Sequence, residues 1–286
     1  MRHLLTLSSL LVLAGCAIIV APNDGDVQVR SVFGSSAVVG DGKLVTDTRP
    51  IGSLEGIDAS GSVHVEVRVG AQPSLLVEAD SNLQALVRTE ATGSSLRVWI
   101  DGNVRSNNGI RVIYTTPRLT QIRSTGSGRL VVSDLNGTPL TLVKTGSGAT
   151  QLSGRVGVLD MQVTGSGSVN ALALESGNAN VSLSGSGRVS LGQVKADTLN
   201  VQVRGSGDLQ ASGVATNLNA QVMGSGGVNL MALTSQRADL NTNGSGDISA
   251  QVRQSLVAHT NGSGRITVYG NPEQRNISGK NVQVMN

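Results

Sequence analysis

Apolar and polar residues alternate along most of this chain in short runs, and no run keeps a helical period. In Val63-His64-Val65-Glu66-Val67-Arg68-Val69, four valines fall on one face and three polar side chains on the other. That period of two is the signature of a half-buried strand. The same reading predicts strands at 62–69, 74–78, 83–89, 95–100 and 110–115. Further on, the alternation becomes periodic. Eight Gly-Ser-Gly tripeptides begin at Gly126, Gly146, Gly165, Gly185, Gly205, Gly224, Gly244 and Gly262, separated by 20, 19, 20, 20, 19, 20 and 18 residues. A period that regular means one unit stacked on copies of itself.

Aligning the repeats on their first glycine separates the columns. Four residues before it stand Ile122, Leu142, Met161, Val181, Val201, Ala220, Leu240 and Ala258. Four after it stand Leu130, Thr150, Val169, Val189, Leu209, Val228, Ile248 and Ile266. Six after it the residues are again apolar, from Val132 and Leu152 to Val268, while intervening positions are mostly Gln, Asn, Ser, Thr or Asp. Each repeat therefore reads as a strand, a corner, a second strand and a turn, with Leu174, Val194, Val214 or Leu233 completing the coil. Such a unit cannot bury its apolar face alone, so neighbours must stack. The expected fold is all-β, a right-handed parallel β-helix of about 20-residue coils with Gly-Ser-Gly corners.

The corner glycines are Gly126 and Gly128, Gly146 and Gly148, Gly165 and Gly167, Gly185 and Gly187, Gly205 and Gly207, Gly224 and Gly226, Gly244 and Gly246, and Gly262 and Gly264. A repeated bend needs backbone angles that glycine reaches cheaply, and bulkier corners would collide with the next coil. The intervening serines can bond the backbone or each other. An anion nest is the functional alternative, but no Gly-Lys-Ser/Thr follows, so the phosphate-loop pattern is missing. Asn180, Asn200 and Asn219 share one register in three consecutive coils and read as a stacking ladder.

Composition sharpens the picture. Phe33, Trp99, Tyr114 and Tyr269 are the only aromatics in 286 residues, which fits a narrow interior filled by Val, Leu, Ile and Ala. A formal charge of +3 gives no argument for nucleic acid. At the start, Arg2 and His3 precede an apolar run from Leu4 to Val12, followed by Leu13-Ala14-Gly15-Cys16. The run is too short for a permanent span. Small residues before a cysteine look like a bacterial lipobox, which makes residues 1–16 a signal and Cys16 the lipid-bearing residue that attaches the protein to the membrane. No second cysteine exists to pair with it, and Ala17 rather than Asp after it favours outer-membrane sorting, facing either the periplasm or the exterior. Residues 17–50 read as a tether, 51–120 as N-terminal coils and cap, 121–270 as regular repeats and 271–286, with Pro272, as a C-terminal cap. Trp99 and Tyr114 are expected to cap the solenoid.

Chemistry is sparse. His64 and His259 sit at polar, outward strand positions and read as solvated. No metal-ligand spacing or nucleophile elbow is found, and no cofactor is expected. Asp208 and Asp247 share a register two coils apart, with Gly227 between them; Asp160 and Asp239 lie four coils apart. Arg129, Arg188 and Arg265 follow three non-consecutive tripeptides.

Ile57-Asp58-Ala59-Ser60-Gly61-Ser62-Val63-His64-Val65, Val77-Glu78-Ala79-Asp80-Ser81-Asn82-Leu83, Pro117-Arg118-Leu119, the serial Gly-Ser-Gly coils and the closing Ile277-Ser278-Gly279 together resemble the head GIN domain family of auto-transporter adhesin type. The resemblance runs from about residue 51 to 286. It implies a β-helical envelope protein, often a lipoprotein, and supplies no catalytic residues. The resulting expectation is a non-catalytic, lipid-anchored envelope protein with an adhesin-like or scaffolding β-helix, whose ligand is a cell-surface glycan or protein. Two alternatives stay open: a polysaccharide lyase or hydrolase on the same fold, and a purely structural envelope lipoprotein.

Overall fold

The computed structural model describes residues 37–285. The signal, Cys16 and the first part of the expected tether lie outside the described residues.

The described chain forms 21 strands and one short 3-10 turn. The first nine strands are β1 (Val38–Val39), β2 (Leu44–Arg49), β3 (Gly56–Gly61), β4 (His64–Val69), β5 (Ser74–Asp80), β6 (Val87–Thr92), β7 (Ser95–Ile100), β8 (Val104–Arg105) and β9 (Arg111–Thr116). Then come β10 (Gln121–Gly126), β11 (Arg129–Asn136) and β12 (Leu140–Thr145). Six long strands follow, each close to a whole coil: β13 (Ala149–Gly165), β14 (Ser168–Gly185), β15 (Arg188–Gly205), β16 (Asp208–Gly224), β17 (Gly227–Gly244) and β18 (Asp247–Gly262). The end is β19 (Ile266–Tyr269), β20 (Gln274–Ser278) and β21 (Val282–Met285).

From β10 onward every pairing is parallel, and the Cα register steps by one repeat at a time: Ile122 opposite Leu142, Leu142 opposite Met161, Met161 opposite Val181. The fold is a parallel β-solenoid. All eight residues of each apolar column four before and four after the first glycine are buried, Thr150 included. The inward side chains of successive coils lie over one another and make a single continuous core.

The solenoid starts in an unexpected order. Strands β3 and β4 form a rung between two others: β10 and β11 pair with it on one side, β7 and β9 on the other. The chain lays down β3–β4, leaves through β5 and β6, and returns as β7 and β9 beneath the rung it made first. Antiparallel partners then close that end, β5 against β9 and β6 against β7. This arrangement ends the parallel stack without leaving its first edge open.

Three local expectations need correction. The tether expected over 17–50 is folded in its last part, because β2 pairs antiparallel with β5. Arg49 also ties it down, donating to the Val87 carbonyl at 2.7 Å and to Thr89 Oγ1 at 2.8 Å. The strand expected at 83–89 opens instead as a 3-10 turn, Gln84–Leu86, in which Leu83 N–H donates to the Asp80 carbonyl and Leu86 N–H to that of Leu83. Val214 does not complete its coil. It is 54% exposed, because Gly213 (φ +123°) takes the register of Val194 and Leu233 and turns Val214 outward.

Candidate functional site

The two glycines of each tripeptide share a steric constraint, and the first carries a torsional one as well. Every first glycine has positive φ, between +105° and +123°, a region costly for any residue with a Cβ. Every second glycine has ordinary φ, but neither glycine has room: a Cβ would lie 2.5 Å from the Gly165 carbonyl oxygen at Gly185 and 2.5 Å from that of Gly167 at Gly187. The first-glycine carbonyls point along the stack and accept from the next corner, as in Ser206 N–H to Gly185 at 2.9 Å and Gly226 N–H to Gly205 at 2.9 Å. Corner amides facing other corners are spoken for, which removes the anion-nest reading there. The corner serines are exposed, and their hydroxyls form no ladder.

One outward face is shaped for contact. A groove of about 720 Å³ crosses six coils, from Thr141 to Asn241, over the strands just before the corners. The only charged residues lining it are Asp160 and Asp239. Along its length the expected asparagine ladder is formed. Asn180 donates its side-chain amide to Asp160 Oδ1, Asn200 to Asn180 Oδ1 and Asn219 to Asn200 Oδ1, each at 2.7 Å. Beside it Gln202 donates to Gln221 at 2.9 Å. The parallel register sets these contacts, because identical columns stack at about 4.8 Å.

A smaller groove of about 320 Å³ lies after the corners, over Arg188, Asp208, Gln210, Gly227, Asn229 and Asp247. Asp208 faces Arg188 at 3.7 Å, and Asp247 accepts from the Arg265 N–H at 2.9 Å. The pair expected from register is therefore brought to one groove, two coils apart, each carboxylate turned to its own neighbour. Arg129 stays in the first coils, and its column passes through Ala149 and Ser168 before Arg188, so the three arginines form no continuous strip.

His259 is exposed and lies 2.6 Å from Ser278 Oγ through Nδ1. His64 departs from the solvated reading. Its Nε2 is buried without a hydrogen-bond partner, 3.6 Å from Glu66. Burial foremost, with Arg129 and Arg111 nearby, holds its pKa below the usual histidine value despite Glu66. Glu66 is bound by Arg111 at 2.7 Å, which lowers its own pKa. Tyr114 is fully buried, exchanging hydrogen bonds with the Leu54 backbone N–H and carbonyl at 3.0 Å. Trp99, on β7, carries Arg97 over its ring at 4.7 Å. Both aromatics thus belong to the closed end. Among the described residues, no three His, Cys, Asp or Glu side chains converge as a metal site would require.

The profile of the family described as "Putative auto-transporter adhesin, head GIN domain" matches residues 53–195 and 183–272. The chain belongs to this family. Solved structures of similar fold include a "putative adhesin" from Parabacteroides merdae, at 20% identity and TM-score 0.69, covering 88% of this chain and all of that one. A "Putative lipid binding protein" from Parabacteroides distasonis matches at 20% identity and TM-score 0.62 over the same shares. A second "putative adhesin" from P. distasonis has 20% identity and TM-score 0.60, covering 87% of this chain and 100% of its own. No curated protein matches.

Two features of this head GIN domain have no counterpart in the sequence reading. Gly61 pairs with Gly126 and has φ +88°, so Gly61-Ser62-Val63 is one more corner of the series, hidden because Val63 replaces the second glycine. Lys144 is 1% exposed, points into the core and leaves Nζ without a partner. Its register continues as Val163 and Leu183, and a charged residue in that column is the signal that marks it.

Proposed function

We propose that the protein is a lipid-anchored envelope adhesin that binds surface ligands through the long amide-lined face of its solenoid and performs no catalysis there. The observation that carries this reading is the groove across six coils, in which amide and hydroxyl side chains alternate with apolar positions such as Met161 and Val181 and an asparagine ladder is fixed by hydrogen bonds. Such a surface suits many modest contacts spread along an extended partner. Its two carboxylates are four coils apart, roughly 19 Å at strand spacing, well beyond the roughly 5–9.5 Å of a glycosidase pair. Membership of the adhesin-type family and the printed names of the relatives support the same reading. Attachment through Cys16, and outer-membrane placement after it, complete the proposal.

Two measurements test it. Cells expressing the full chain should adhere to other bacterial cells or envelope material more than cells lacking it; equal attachment overturns the adhesin reading. Cys16→Ser should abolish lipid labelling and membrane fractionation. Retained fractionation with a processed signal overturns the anchor. The lyase or hydrolase alternative predicts turnover of a polysaccharide that is lost in Asp208→Ala.

A further inference from the structure

The asparagine ladder has a direction, and Asp160 sets it. A carboxylate accepts hydrogen bonds and cannot donate them. Asn180 must therefore turn its NH2 group toward Asp160, as it does at 2.7 Å. Its carbonyl oxygen then faces Asn200, which must donate in turn, and the choice propagates to Asn219. Every amide is aligned. Asn219 is left with its Oδ1 on the side of the next coil, and the residue in register there is Asp239.

Acceptor thus meets acceptor. No hydrogen bond joins Asn219 to Asp239 among the described residues, although the three preceding steps of the same column are all bonded. Arg237, the nearest cation along that strand, turns its Nε to Asn217 Oδ1 at 2.9 Å and makes no ion pair with Asp239 among the described residues. A row of amides between two carboxylates always contains one such mismatch, because both ends demand donors and each amide faces only one way. Here it falls at the Asp239 end, in the open groove. The junction calls for a donor from outside the chain.

We propose that the groove binds a linear glycan bearing hydroxyl and amine donors and no anionic groups, lying along the solenoid axis with one donor at the Asn219–Asp239 junction. This rests on the adhesin reading above and names its ligand class. The rest of the groove fits such a chain. Fixed amides offer acceptors and donors in the three central coils, at Asn180, at Asn200 with Gln202 and at Asn219 with Gln221, and a pyranose ring is comparable in length to the rise of one coil. Two aspartates and no cation line the walls, which disfavours carboxylated or sulfated polymers. A peptide is less well served. The strands beneath are paired on both sides, so no free edge is available for strand addition.

The test uses the full chain and three hexasaccharides, followed by calorimetry: β-1,4-linked glucosamine, β-1,4-linked glucose and oligogalacturonate. The glucosamine hexamer should bind best, the glucose hexamer more weakly and the uronate not at all. Asp239→Asn completes the ladder, since the new amide can donate to Asn219. It should weaken glucosamine binding at least tenfold while raising the thermal midpoint. Asp160→Asn frees the ladder to reverse and satisfy Asp239 internally, so it too should weaken binding, from four coils away. Asp208→Asn, the same charge change in the other groove, should leave binding unaltered. Equal losses in all three variants, unchanged binding in Asp239→Asn, or binding of tetralysine as tight as that of the hexamer would overturn the proposal. If no hexamer binds while the protein still promotes adhesion, the glycan assignment falls and the adhesin reading stands.

Discussion

The side chain of Lys144 runs beneath the corner of the next coil, where a Cβ on Gly167 would lie 2.8 Å from Lys144 Cε. Its Nζ is buried without a partner, and desolvation holds its pKa below the usual lysine value. A buried polar group left unsatisfied costs roughly 1–3 kcal/mol. Lys144→Met keeps the length of the side chain and removes the amine, so it should stabilise the fold by about that amount in denaturant unfolding.

The same lysine predicts a pH dependence. Its folded pKa lies below the unfolded value of 10.5, so between the two the unfolded chain holds more protons. Stability attributable to this residue therefore rises as pH increases through that window toward 10.5. Unfolding curves of the native protein and Lys144→Met, taken across alkaline pH, should converge; parallel curves would contradict the assignment.

The two corner glycines should fail to different degrees. Gly185→Ala forces a side chain onto φ +114°, at a cost of roughly 1–3 kcal/mol, and also places its methyl group 2.5 Å from the Gly165 carbonyl oxygen. Gly187→Ala meets the same kind of carbonyl clash, 2.5 Å from the Gly167 oxygen, without the torsional strain, and should cost less than Gly185→Ala. Ser186 between them is exposed, and Ser186→Ala should stay within about 0.5 kcal/mol. Thermal unfolding of the three variants gives the ranking.

Acid should loosen the closed end first. Glu66 has a folded pKa lowered mainly by its hydrogen bond from Arg111, so its contribution is present above the unfolded carboxylate value and is lost as pH falls through the folded one. His64 has a folded pKa lowered mainly by burial. As pH drops below 6.5 the unfolded chain takes up a proton that the folded chain resists, and stability falls again. His64→Gln should flatten the upper part of the acid profile and Glu66→Gln the lower part. Hydrogen exchange in β4 and β9 resolves the two steps.

Tyr114→Phe removes the hydroxyl that serves both backbone groups of Leu54, leaving the Leu54 N–H without that acceptor. A loss of roughly 1–2 kcal/mol is expected in equilibrium unfolding.

The coil was legible because its columns are nearly pure: eight apolar residues of eight stand four before the first glycine, and all are buried. Glycine spacing located the corners, though only the structure shows that both glycines of a pair lack room for a Cβ and that the first also needs positive φ. Gly61 escaped notice because Val63 breaks the tripeptide. The position of β7 and β9 beneath β3 and β4 carries no local signal at all. It depends on an antiparallel excursion through β5 and β6 whose strands look like any others. At the candidate site, Asn180, Asn200 and Asn219 announced a ladder. Its direction depends on Asp160 occupying the same register one repeat earlier, a relation that appears only when charged and neutral members of a column are read together.

The inserted rung separates the order of the stack from the order of the chain. The first rung synthesised, β3 and β4, ends up in the interior of the stack, with later segments added above and below it. Parallel pairing therefore extends to both sides of the first rung, and beyond β11 to one side only. The closed end is complete once β9 is made, and the number of coils that follow is free to vary without rebuilding it. A lineage can lengthen or shorten the face it presents by copying or deleting about 20 residues at a time, leaving the foundation untouched.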